Sequence, residues 1–149
     1  MPIVGMGITK IEAVRHVPVT GKVGIGQKPL IKDIHPKKIE AVGKDGFEIE
    51  FEYTFEYKDT DKKKDLASIM FAGEVIYLPK NEEEGKAMME KWKKDKKISV
   101  DIFLPVMNGI IRRCVARGIW LSEELGLPSP IRFPRVTATK KEEASRYIG

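Results

Sequence analysis

The sequence predicts a single α+β domain in which a run of strands precedes a run of helices. Three observations lead there. The stretch from Phe47 to Tyr57 alternates apolar and polar residues with a period of two, and two later stretches carry apolar residues at helical spacing. No repeat, low-complexity tract or linker divides the 149 residues, a length that suits one core.

Ile8 to Val17 reads as the first strand. Pro18 to Pro36, punctuated by Gly21, Gly24, Gly26 and Pro29, is too long for a hairpin turn and reads as an extended crossover loop. Its Gly24-Ile25-Gly26 is not a phosphate loop, because the third glycine and a following helical pattern are missing. Pro36 to Val42 then makes a short second strand. In the third, Phe47, Ile49, Phe51, Tyr53, Phe55 and Tyr57 share one face, and Glu48, Glu50, Glu52, Thr54 and Glu56 the other. Slipping the register by one residue would bury four glutamates and expose six apolar side chains, so the register should be firmly set. A polar hairpin loop, Lys58 to Asp65, leads into a fourth strand from Leu66 to Leu78, stopped by Pro79. Gly73 interrupts that strand where a bulge or a close backbone approach is expected.

Asn81 with Glu84 three residues on forms a capping box that opens a helix. Met88, Met89 and Trp92 give it an apolar stripe suited to core or groove wall. A second helix is expected between Pro105 and Gly118, with Met107, Ile110, Ile111, Cys114 and Val115 on one face. Cys114 on that face reads as a small buried hydrophobe. Ser122 to Gly126 reads as a turn and Pro128 to Val136 as an extended segment, and Thr139 with Glu142 forms a second capping box.

Several function classes drop out. No apolar run approaches the roughly 18 residues of a membrane span, and Met1 to Thr9 lacks the features of a signal peptide. One cysteine cannot form an intramolecular disulfide, so a cytoplasmic location is expected. His16, His35 and Cys114 are too few for a zinc site built from nitrogen and sulfur ligands. No serine, histidine and acid stand at catalytic spacing, so neither enzyme chemistry nor a cofactor is expected.

The net charge of +5 raises nucleic acid as a partner. Composition favours a different cause: 20 Lys and 15 Glu against two Asn and one Gln is the bias of a heat-adapted source. Nor does an RNP, KH or helix-turn-helix signature appear. Arg112, Arg113, Arg117, Arg132 and Arg135 could gather into an anion-binding surface or pair with local acids such as Glu123 and Glu124.

Leu104 to Gly118, with Pro105 at its head, Ile111 and Val115 on its apolar face and Arg117-Gly118 closing it, resembles the start of the long helix of the SecB family. That family comprises polypeptide-holding chaperones of protein export. Leu127-Pro128-Ser129-Pro130-Ile131 to Val136 is similar to the family's proline-punctuated segment after the helix. The resemblance implies a four-stranded antiparallel sheet with a long crossover loop and two helices packed on one face. It also implies a homodimer or homotetramer that binds unfolded or nascent polypeptides in an apolar groove, with no membrane insertion. The residues that would line the groove are Val23, Ile25, Leu30, Ile31 and Ile34 of the loop, Met107 and Ile111 of the helix, and Ile119, Trp120 and Leu121 beyond it. Each could equally be core packing or a subunit contact. Family members are typically acidic, whereas this chain is basic, and Ile119 to Leu125 reads as an insert after the helix. A nucleic-acid-binding protein and a structural adaptor subunit are the alternative readings.

Overall fold

The computed structural model describes residues 3–19, 21–61, 64–132 and 134. Four strands, β1 (Ile3–Arg15), β2 (Val23–Ile39), β3 (Lys44–Asp59) and β4 (Asp65–Tyr77), precede two helices, α1 (Glu82–Asp95) and α2 (Val100–Glu124). The strands form one antiparallel sheet in the order β1-β4-β3-β2. Both ends of the sheet are therefore strands paired on one side only.

The alternation in β3 sets the layers. Phe47, Ile49, Phe51, Tyr53, Phe55 and Tyr57 are buried, and Ile69, Phe71, Val75 and Tyr77 of β4 join them on the same face. Burying each large apolar side chain contributes roughly 1.5–3 kcal/mol, which makes this face the main stabilising layer and holds its register. Three tyrosines of the layer also fasten other elements through their hydroxyls. Tyr53 donates to Gln27 of β2 and Tyr57 to the Pro128 carbonyl at 2.8 Å, while Tyr77 donates to Glu84 of α1 at 2.5 Å. The glutamates of β3 face outward and meet lysines of β2, Lys28 with Glu56 at 3.1 Å and Lys32 with Glu52 at 3.3 Å.

The crossover is much shorter than expected. It covers residues 16 to 22, and the stretch read as loop from Pro18 to Pro36 is mostly β2, paired with β3 from Val23–Asp59 to Ile39–Lys44. Pro36 does not begin a second strand. It lies near the end of one, and Val42 sits in the turn that follows. Prolines are tolerated in β2 because it is an edge strand, where a missing N–H facing solvent costs no ladder bond. β1 begins at Ile3, earlier than Ile8, and ends at Arg15. Gly73 is a close-approach position: a methyl there would overlap the Gly7 carbonyl oxygen and touch Phe51 Cζ at 3.0 Å. The accompanying bulge lies opposite, in β1 between Ile8 and Lys10.

Asn81 caps α1 by accepting from the Glu84 N–H at 2.8 Å, and Met88 and Trp92 are buried. Helix α2 is almost twice the expected length, because neither Pro105 nor Gly118 bounds it. Ile102 and Phe103 already bond Ser99 at 3.1 and 2.9 Å, so Pro105 sits at the second turn, where its missing N–H leaves out one bond of a long ladder. Gly118 is inside the helix because α2 lies against the sheet there: an added Cβ would stand 2.7 Å from Phe55 Cε2. Ile119 to Glu124 thus continues the helix rather than inserting a connection, and the turn comes at Leu125 and Gly126. Cys114 is buried on the sheet-facing side. The extended segment after Pro128 is described as irregular chain to Arg132, and the Thr139–Glu142 capping box lies outside the described residues.

Candidate polypeptide-binding surface

Two anchor points fix how α2 lies. A Cβ at Gly109 would meet Met6 at 3.0 Å and Ile3 at 3.7 Å, both on β1, whereas one at Gly118 would meet Phe55 of β3. One flank of α2 therefore faces β1 and the other faces β3. At about 100° per residue, Trp120 falls within about 20° of Gly109, on the β1 flank. Ile111 lies about 180° from Trp120, on the other.

This divides the groove residues. On the inner face of β2, Val23, Ile25 and Ile31 are half-buried against the core and Ile34 is buried. On α2, exposed Ile111 and buried Met107 lie on the flank away from β1, and half-buried Ile119 stands about 80° round the helix from Ile111. The four β2 residues share the inner face of the sheet. Leu30 does not, because it pairs with outward-pointing Glu52 and stands on the glutamate face. Trp120 lies on the β1 side, 61% exposed, and Leu121 is half-buried toward the core.

Sequence reasoning missed Val100 and Leu104, exposed by 66% and 53%. They extend the Ile111 stripe toward the start of α2 through a span of about 17 Å. The signal was present as apolar residues at 100, 104, 107 and 111. Pro105 masks it, because a proline there reads as a first-turn residue and cuts the stripe at 105.

Two concave regions flank these surfaces. One, of about 450 Å³, has Ile25 among its walls with Gly24, Gly26, Glu56 and Thr60. A larger cleft of about 770 Å³ opens at the far end of the sheet, between Pro36, Phe47, Leu78, Pro79 and Met89, with Lys44, Lys80 and Lys86 at its rim. None of the groove residues lines that larger cleft.

The two free edges differ. β2 carries Pro29, Pro36 and four lysines, Lys28, Lys32, Lys37 and Lys38, features that blunt strand pairing. β1 has one lysine and exposes Val4, Ile11 and Val14, so its edge is open to another strand. Near α2 the arginines Arg112, Arg113 and Arg117 are exposed, and Arg113 and Arg117 share a flank with Trp120. No helix among the described residues is long and apolar enough to cross a membrane.

No protein-family model and no curated protein matches the sequence. A search of solved structures finds the SecB-like chaperone Rv1957 of Mycobacterium tuberculosis, in complex with a ChAD peptide from the antitoxin HigA1 (Rv1956). The match has a TM-score of 0.50 at 13% identity and covers 93% of this chain and 91% of that one. The fold is SecB-like. At this identity the likeness concerns architecture, and function has to be argued from the surfaces themselves.

Proposed function

We propose that this protein binds unfolded or nascent polypeptide without catalysis, as a SecB-like holdase that assembles into a homodimer or homotetramer. The observation that carries the reading is the exposed apolar stripe of Val100, Leu104 and Ile111 along α2, together with Val23, Ile25 and Ile31 half-buried on the inner face of β2. A contiguous apolar patch beside a sheet is a surface that any extended, apolar segment can cover. Ordering a disordered client is unfavourable, so one site binds weakly and several sites in an oligomer raise avidity. The peptide in the structural neighbour is consistent with a polypeptide partner.

The test is whether the purified protein delays aggregation of a chemically denatured, permanently reduced client. The holdase reading expects a delay that changes little with salt, and Leu104→Lys should shorten it while leaving the circular dichroism spectrum unchanged. No delay at a severalfold excess of protein would sink the proposal.

A second reading rests on Arg113, Arg117 and exposed Trp120 sharing one flank. Two guanidinium groups beside an aromatic ring suit single-stranded nucleic acid, by phosphate pairing and base stacking. Tight binding of mixed-sequence RNA that falls steeply with salt would favour this reading.

A further inference from the structure

On the outer face of the sheet, at the β2 edge, the structure gathers one imidazole and two carboxylates. A bulge between Ile31 and Asp33 resets the β2 register, after which Asp33 stands opposite Glu50 of β3 and His35 lies two residues on, on the same face. His35 Nε2 is 3.4 Å from Asp33 Oδ2 and 3.4 Å from Glu50 Oε1. The three ligand atoms all lie within 4.8 Å of one another. We propose that Asp33, His35 and Glu50 form a binding site for a divalent transition metal, zinc above all, that clamps edge strand β2 to β3.

Geometry, donor chemistry and surroundings each support the assignment. A tetrahedral zinc with bonds of about 2.1 Å has ligand–ligand edges of about 3.4 Å, the separation found on both sides of His35. Imidazole nitrogen with carboxylate oxygens is a borderline donor set that suits zinc better than calcium or magnesium. Asp33 is also oriented from behind. Its Oδ1 accepts from the Ile34 N–H at 2.8 Å and from Trp92 Nε1 of α1 at 3.2 Å, which leaves Oδ2 for an ion. Such outer partners fix ligand orientation. Two further carboxylates, Glu48 and Glu74, stand on the same face, and Lys37 lies 3.9 Å from Glu48. Glu50 directly faces Glu74 of β4. Like charges directly opposite are destabilising, and a dication beside Glu50 offsets that repulsion. Water would complete the coordination, and the tie through Trp92 would link the ion to α1.

The test is calorimetric titration of the full chain with zinc chloride, paired with thermal melts across a range of zinc concentration. The proposal expects saturation at one zinc per chain and a melting temperature that climbs with zinc. His35→Ala and Glu50→Gln should each weaken binding at least tenfold and suppress the melting shift, whereas His16→Ala should change neither. Zinc should move the imidazole signals of His35, and not of His16, in the NMR spectrum of the unsubstituted protein. That readout decides the matter even if a variant folds poorly. Absence of saturable binding overturns the proposal. So does binding that survives in both His35→Ala and Glu50→Gln, or that disappears in His16→Ala.

Discussion

Single atoms decide two properties of the core. At Gly118 the helix backbone comes so near Phe55 that a methyl would need the ring to move. Gly118→Ala gains about 1 kcal/mol of helix propensity, yet overpacking typically costs about 1–3 kcal/mol and here is opposed by a buried ring. The variant should unfold at lower urea concentration with an unchanged m-value, and an equal or higher midpoint would show that the sheet yields easily. The second property is titration. Burial pushes the Cys114 thiol from its ordinary 9.0 to about 11, with Arg117 and Arg113 opposing, and pushes Tyr57 from 10.0 to about 12. In both cases the folded state holds its proton more tightly than the unfolded chain, so the stabilisation is complete below pH 9 and is lost as pH rises toward 11 and 12. Urea midpoints should therefore fall steadily above pH 9. Cys114→Ala should flatten the early part of that decline, between pH 9 and 10, and an unchanged slope would remove the thiol from the account.

Elements were legible where local chemistry and tertiary context agreed. The inward and outward faces of β3, the capped start of α1 and the close approach at Gly73 could all be read, because period-two alternation, an Asn–Glu box and a mid-strand glycine each have one dominant physical meaning. The misread elements carry residues whose meaning depends on position. Pro29 and Pro36 spoke for a loop, but an edge strand accepts them. Pro105 and Gly118 spoke for helix ends, but one occupies an early turn and the other a contact with Phe55. From these errors followed the missed Val100 and Leu104, and the placing of Leu30 in a groove whose sheet it backs. The cluster of Asp33, His35 and Glu50 was invisible for the same reason. Two of its members lay in a supposed loop, and the third was one glutamate in a row of four.

At the scale of the whole molecule, the sheet has unequal ends, and that asymmetry points to how copies would meet. β2 is shielded by proline and lysine, whereas β1 offers an unpaired backbone row with Val4, Ile11 and Val14 exposed beside it. If two β1 strands pair about a twofold axis, both sheets continue into one, and the Val100–Ile111 stripe of each α2, on the flank away from β1, stays open. Assembly and client binding would then use opposite flanks of the same helix, so they can be separated by substitution. Ile11→Lys combined with Val14→Lys places charge on both faces of the β1 edge, at two exposed positions. In sedimentation at micromolar concentration the double variant should move from an oligomer toward the 16.9 kDa chain. Its retention of a denatured client should drop more than a single-site affinity would, because avidity falls with the number of linked sites. Leu104→Lys should show the converse, an intact oligomer with weakened client binding. A double variant that sediments like the unsubstituted protein would rule out the β1 edge as the contact. An unsubstituted protein found only at 16.9 kDa would remove assembly, and with it the avidity on which strong holding depends.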